Sequence, residues 1–243
     1  MDFRIVIPSR YASVRLPGKP LRKIHDRTMI EWVYRAAEKS GANRIVVATD
    51  HRDIADAVET FGGEACLTRE THPSGTDRIL EVCQALGWSD NDVVVNLQGD
   101  EPLMPAQNIV QVANNLVANP CDMSTLHKPI SAESALDPNQ VKLVHDAAGM
   151  ALFFSRAPIP YERNSGFTDY KGHIGIYAYQ VGFLRRFSRL PPGELEQTES
   201  LEQLRALENG FKIHTQLAEA QPGPGIDTEQ DLLEVSKLME SMA

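Results

Sequence analysis

The segment Pro8-Ser9-Arg10-Tyr11-Ala12-Ser13-Val14-Arg15-Leu16-Pro17-Gly18-Lys19-Pro20-Leu21 follows a short apolar run and places Arg10, Arg15 and Lys19 in one loop. Backbone N–H groups in such a loop can surround phosphate oxygens while the cations neutralise them. The same composition also suits an irregular surface loop with two prolines. The loop is neither a P-loop nor a dinucleotide fingerprint, because the chain contains no GxxxxGK[ST] and no GxGxxG.

A second cluster, Gln98-Gly99-Asp100-Glu101-Pro102, follows the buried-type run DVVVNL. A carboxylate freed by Gly and Pro at a strand's carboxyl end can hold a hard cation such as Mg²⁺, which takes oxygen ligands and keeps phosphates in its shell. An ordinary turn with an exposed Asp reads the same way. Asp227 in Gly225-Ile226-Asp227-Thr228 precedes the last helix, where Asp commonly caps. Asp100 and Asp227 are 127 positions apart, so spacing does not show that they meet. His72-Pro73-Ser74-Gly75-Thr76-Asp77-Arg78 leads into a helix. Such an N-terminus attracts anions or a base edge, or is simply capped. His173 lies within a strand and suits core or pocket alike. Arg156 and Arg163 follow an apolar strand, and Arg there either grips a carboxylate or lies on the surface. The seven histidines show no zinc spacing, and no nucleophile elbow or Cys/His arrangement is present.

These residues need elements to position them. Strand signals cover residues 4–8, 44–49, 64–68 and 92–97, and helix signals cover 28–39, 53–61, 76–86 and 105–117. This alternation predicts βαβ units with a sheet covered on both faces and ligands beyond the strands' carboxyl ends. The second half predicts strands at 123–130, 141–145, 150–154, 171–179 and 212–218. Helices are predicted at 182–190, 198–208 and 231–242, with Thr228 and Asp231 spaced as a capping box. The whole of 1–243 reads as one domain with three parts. A nucleotide-binding half spans 1–120, a β-rich part 121–220, and a turn with the terminal helix 221–243.

Composition narrows the function classes. The chain has 243 residues, 42% hydrophobic, with 24 Lys+Arg, 33 Asp+Glu and a net charge of -9. Residues 1–44 carry a net +6, so a small polyanion fits that end better than duplex nucleic acid, which wants a broad basic face. A solvated surface bias would look the same. No apolar run spans a membrane, no secretory signal opens the chain, and the three cysteines form no CxxC pair, so the expectation is a cytoplasmic protein with reduced thiols.

The blocks PSRYASVRLPGKPL, ATD, HPSGTDR, NLQGDEP, LFFSRAPIP, HIGIYAY, TESLEQLRALENG and GIDTEQDL stand in this order from Phe3 to about Leu233. Together they resemble the 3-deoxy-manno-octulosonate cytidylyltransferase family, the CMP-Kdo synthetases. The resemblance implies an α/β, Rossmann-like nucleotidyltransferase fold. Its sheet would be mixed and mostly parallel, with helices on both faces and a smaller β-rich dimerisation and sugar-binding part. It implies a homodimer that transfers CMP from CTP to the sugar acid Kdo and releases pyrophosphate, for lipopolysaccharide synthesis. It further implies Arg10, Ser13, Arg15, Lys19, Ala48, Thr49, Ser74, Gly75 and Arg78 around CTP. Gln98, Arg156, Arg163, His173, Tyr177, Glu202 and Gln203 would lie around Kdo, and Asp100 and Asp227 on Mg²⁺. Lys19, Arg10, Asp100 and Asp227 would carry the chemistry. An 8-amino-Kdo or another sugar acid as acceptor, and a non-catalytic nucleotide-binding module, remain alternatives.

Overall fold

The computed structural model describes residues 1–12, 15–164, 166 and 169–242. In chain order the strands are β1 Arg4–Ser9, β2 Lys23–Ile24, β3 Arg27–Thr28, β4 Arg44–Thr49, β5 Glu64–Leu67, β6 Val93–Asn96 and β7 Met123–Ile130. They continue as β8 Lys142–His145, β9 Ala151–Ser155, β10 Tyr170–Gln180 and β11 Ile213–Leu217. The helices are α1 Met29–Glu38, α2 Arg52–Thr60, α3 Gly75–Ala85, α4 Ala106–Ala118, α5 Ala132–Ala135 and α6 Val181–Phe187. Then come α7 Glu194–Glu199, α8 Gln203–Glu208 and α9 Glu229–Met242.

A nine-stranded sheet runs β11-β7-β10-β6-β1-β4-β5, with β8 beside β10 and β9 beside β8. β1 pairs in parallel with both β4 and β6, β4 with β5, and β11 with β7. β10 runs antiparallel to β6, β7 and β8. The sheet is therefore mixed, with four of the six junctions on its main path parallel.

Alternation within the strands explains their continuous apolar runs. Ile5, Ile7, Val47 and Val95 enter one core with Ile30 and Val33 of α1, Ile54 and Val58 of α2, and Ile109 and Val112 of α4. Val6, Val46 and Val94 face the other way, onto Ile79 and Val82 of α3, Leu184 of α6 and Leu204 of α8. Successive strand side chains point to opposite faces, so a strand covered on both sides must be apolar throughout.

A third, smaller cluster governs the site. Leu16, Ile24 and Met29 from the N-terminal region pack against Ile226, Leu232 and Val235. This brings the two ends of the chain together. The last helix starts with the reciprocal cap expected from its sequence. Asp231 N–H donates to Thr228 Oγ1 at 3.2 Å, and Thr228 N–H donates to Asp231 Oδ2 at 2.8 Å. Asn108 of α4 holds the approach to that turn, exchanging two hydrogen bonds with the Ala220 backbone at 2.8 and 3.0 Å.

One expectation is corrected and one element is added. The helix expected over 198–208 is split, because Ser200 takes a left-handed φ of 50° and ends α7. The break buries Leu201 and starts α8 at Gln203, so Glu202 and Gln203 stand at a helix start. The hairpin β2–β3, which apolar periodicity did not reveal, is only two residues per strand.

Ile226 is 0% exposed and Leu233 52% exposed. Ile226→Ala is expected to lower the unfolding free energy by about 2–5 kcal/mol. Leu233→Ala should stay within about 0.5 kcal/mol of the wild type. Urea titrations of both variants check the difference.

Candidate active site

Three strand ends and the C-terminal turn converge on one place. The loop after β1 turns at Gly18, whose φ of 63° is in the left-handed region, and Lys19 N–H donates back to the Leu16 carbonyl at 3.1 Å. Pro20 anchors the short helical turn that follows. The ammonium of Lys19 is thereby aimed between two carboxylates. It lies 2.6 Å from Asp100 Oδ2 and 2.9 Å from Asp227 Oδ1. Arg15 reaches the same Asp227 oxygen at 3.0 Å. Ile226 N–H donates to the Asp100 carbonyl at 3.0 Å, so the two segments are also joined through backbone. Asp227 is not the helix cap that its position suggested, since Thr228 does that work.

Glycine at 99 permits this approach. A Cβ there would lie 3.0 Å from the Pro8 carbonyl oxygen and 3.5 Å from Ser9 Oγ. Pro8, Ser9, Arg10, Ala12, Lys19, Pro20, Gln98, Gly99 and Asp100 line a cavity of about 180 Å³. A neighbouring cavity of about 240 Å³ is lined by Gly75, Thr76, Asn96, Gln98, Met123, Tyr177, Tyr179, Phe183, Phe187, Glu202 and Gln203. Gln98 belongs to both.

The cavities differ in chemistry. The first is cationic with carboxylates at its edge. The second has aromatic walls and amide, hydroxyl and carboxyl groups. Thr76 Oγ1 donates to Glu202 Oε2 at 2.7 Å, and Arg205 stands 3.9 Å from Glu202 Oε1. Burial raises the Glu202 carboxyl above its ordinary value. Burial and the Glu202 carboxylate push the Tyr177 and Tyr179 phenols well above 10, so both hydroxyls keep their protons at neutral pH.

Several expected residues hold the site from behind. Arg78 is 0% exposed, with its guanidinium bonded to Asp50 at 2.9 Å and to Thr68. Its charge also acts beside Arg10 of the cationic loop. Asp50 passes the restraint on, accepting from Tyr11 N–H at 3.2 Å, and the Tyr11 ring stacks on His51. Arg10 donates to the His72 carbonyl at 3.1 Å. Ala48 and Thr49 are buried at the end of β4, where the Thr49 carbonyl accepts from the Thr68 N–H and hydroxyl at 2.8 and 3.0 Å. Ser74 Oγ caps α3 by accepting from Asp77 N–H.

Arg156 is likewise occupied, donating to the carbonyls of Glu199, Pro138 and Ser200 at 2.6, 2.9 and 3.3 Å. Neither Arg156 nor the exposed Arg163 lines the second cavity. His173 stands one layer back, its ring against Tyr177 and its Nε2 3.1 Å from Thr125 Oγ1. Burial pushes it down to about 3, so it is a neutral ring at neutral pH rather than a cation for a carboxylate. Ser13 lies outside the described residues.

Residues that the motifs contain without an expected role are Asn96, Thr76 and Tyr179 in the second cavity, Asp50 behind the loop, and Glu101. The Glu101 Oε2 atom is out of water and has no hydrogen-bond partner among the described residues, and burial beside Asp100 raises its carboxyl to about 8. Asn96 carried a legible signal, as the one polar residue closing an all-valine strand.

A mixed sheet with a cationic loop and two carboxylates beyond its carboxyl strand ends suits nucleotidyl transfer. A nucleotidyl transferase from Methanothermobacter shares the fold at a TM-score of 0.64 and 16% identity over 100% of this chain and 99% of its own. More narrowly, residues 4–213 match the family model described as Cytidylyltransferase, and the chain belongs to that family. A 3-deoxy-manno-octulosonate cytidylyltransferase of Yersinia pseudotuberculosis is 52% identical, covering 98% of this chain and 99% of its own. One from Serratia proteamaculans is 51% identical, covering 97% and 98%. A CMP:2-keto-3-deoxy-manno-octonic acid synthetase solved with CTP superposes at a TM-score of 0.95 with 42% identity, covering 100% of both chains.

Acid sensitivity follows from the buried histidines. His127 sits at about 4 and His173 at about 3, against an ordinary 6.5, because burial disfavours the charged rings. Between those values the unfolded chain binds protons that the folded chain does not, so stability rises with pH there. The folded state is expected to be at full strength above about pH 6.5 and to weaken as pH falls toward about 4. Urea midpoints measured across that range check this, and His127→Gln should flatten the curve.

Proposed function

We propose that this chain transfers CMP from CTP to 3-deoxy-manno-octulosonate, releasing pyrophosphate, and so supplies an activated sugar for lipopolysaccharide. The observation that carries the reading is the Lys19 ammonium held between Asp100 and Asp227 beside the cavity that ends at Glu202. The named activity of the relatives and the CTP in the solved neighbour support the choice of substrates.

In this reading Arg10, Ser13, Arg15 and Lys19 take the phosphates, with charge-assisted hydrogen bonds that need no rearrangement during the reaction. Ala48, Thr49, Ser74 and Gly75 border the cytosine and ribose. Arg78 acts indirectly, by fixing Asp50 and through it Tyr11. Gln98, Tyr177, Glu202 and Gln203 contact the sugar acid, His173 supports Tyr177, and Arg163 approaches from the outer loop. Arg156 shapes the turn at Glu199 and Ser200 that presents Glu202.

The family's divalent metal fits these residues. Asp100 and Asp227 are close enough to share one cation, here an ammonium, and their hard oxygens suit Mg²⁺. When bound, the metal supplies charge neutralisation on the phosphates and lowers the pKa of a nearby hydroxyl. In this reading the anomeric hydroxyl of the acceptor attacks the α-phosphorus as the bond to pyrophosphate breaks in line and the hydroxyl proton passes to water, with Gln98, which lines both cavities, positioning the two substrates. The partner we propose for the chain is a second copy of itself. Exposed Leu152 on β9 and Leu217 on the edge strand β11 are apolar surface that such a copy would cover. No helix among the described residues is long and apolar enough to cross a membrane.

Pyrophosphate release from CTP and Mg²⁺, with Kdo, with 8-amino-Kdo and with no sugar, tests the reading. Release should require the sugar acid, and sugar-independent or absent release would overturn it. Asp100→Asn is expected to keep the wild-type melting temperature and lose on the order of a hundredfold in turnover. Lys19→Ala should impair turnover and CTP use together with little change in melting temperature.

A further inference from the structure

Residues 68–74 join β5 to α3, and one carboxylate holds the middle of this segment. Glu81 of α3 accepts through Oε2 from the Arg69 N–H at 3.2 Å and from Arg69 Nε at 3.5 Å, and the same oxygen meets His72 Nε2. The ends of the segment are fixed separately. Thr68 N–H donates to the Thr49 carbonyl at 2.8 Å, and Ser74 caps α3. Burial by itself would raise the Glu81 carboxyl, but the His72 and Arg69 contacts outweigh it and hold the group below its ordinary value. The His72 and Glu81 side chains are 7% and 25% exposed, and neither residue lines a cavity of the site.

The held backbone presents the His72 carbonyl to Arg10, which donates to it from Nη2 at 3.1 Å. Arg10 is exposed just after β1 and lines the cationic cavity, with the like charge of Arg78 acting on it from behind. A long exposed cation has many rotamers, and gripping a phosphate requires it to give most of them up. One hydrogen bond to a fixed carbonyl restricts the side chain beforehand. It leaves the other guanidinium N–H groups for a phosphate.

We propose that Glu81 and His72 are positioning residues for the triphosphate, acting through Arg10. The Glu81 carboxylate fixes His72, and the His72 carbonyl sets the Arg10 guanidinium at the cationic cavity. This rests on the reading above in which Arg10 takes a CTP phosphate. Charge and position make opposite demands on Glu81. As a negative charge alone it disfavours a polyanion nearby, so its removal would tighten CTP binding. As a clamp it holds the cation in place, so its removal loosens CTP binding.

The test uses the full chain, with the dissociation constant for CTP from titration calorimetry and KM for CTP and Kdo from pyrophosphate release. Glu81→Ala should weaken CTP binding roughly three- to tenfold and leave KM for Kdo unchanged. Glu81→Gln should recover most of the loss, because the amide oxygen still accepts. His72→Ala should act in the same direction as Glu81→Ala. In an Arg10→Ala background, Glu81→Ala should add nothing further, since the group it acts through is gone. Glu81 is partly exposed on a helix, where alanine is favourable, so the variant should fold. If it does not, His72→Ala takes its place in the same cycle. CTP binding that is unchanged or tighter in Glu81→Ala would overturn the clamp, as would a loss of equal size with and without Arg10. Wild type that binds CTP and releases no pyrophosphate with any sugar acid would overturn the functional reading alone, and the clamp would stand or fall on the binding constants.

Discussion

The site depends on one ammonium group. Lys19, Asp100 and Asp227 come from the first loop, the end of β6 and the turn before α9, and they meet within 2.6 and 2.9 Å. Two carboxylates brought this close repel each other unless a cation lies between them. The Asp100 and Asp227 side chains remain 34% and 50% exposed, so these ion pairs contribute little to global stability. Their role is positional. The stability comes from the cluster beneath, where Leu16, Ile24 and Met29 meet Ile226, Leu232 and Val235. Apolar burial brings the chain ends together, and the charges set the final geometry.

Around that point the fold separates two kinds of chemistry. Charge gathers at the ends of β1 and β6, where Arg10, Lys19 and Asp100 line the smaller cavity. The larger cavity holds aromatic rings with amide, hydroxyl and carboxyl groups. This suits a reaction in which a sugar acid displaces pyrophosphate from a nucleoside triphosphate, since polyphosphates need cations and sugars need hydroxyl partners and flat apolar faces. The first turn of α3 stands between the two. Ser74 caps the helix on one side, and Thr76 two residues on holds Glu202 on the other.

The supporting residues show how charge works at a distance. Arg78 and Arg156 are arginines in motif segments, yet their guanidinium groups are spent on Asp50 and Thr68 and on three backbone carbonyls. Arginine's planar fork makes it apt for fixing loops as well as ligands. Its residue type in a motif does not separate the two uses. His173 makes a similar point, since burial keeps its ring neutral and gives it a packing role beside Tyr177.

The strand and helix order was legible in the sequence because it rests on local rules. Continuous valine and isoleucine runs mark strands buried on both faces, and Thr228 with Asp231 marks a helix start that the structure caps as expected. The cationic loop and the carboxylate at the end of β6 were legible too, because they stand at strand ends within short segments. What the sequence could not express is distance between remote segments. Only the packing of Ile226 against Leu16 and Ile24 decided that Asp227 meets Asp100 rather than capping α9. Only the left-handed Ser200 turned an apparently continuous helix into one that offers Glu202 to the cavity. The meeting of Tyr179 with Asn96 was hidden for the same reason, since strand alternation names the face a residue occupies but not what lies across from it.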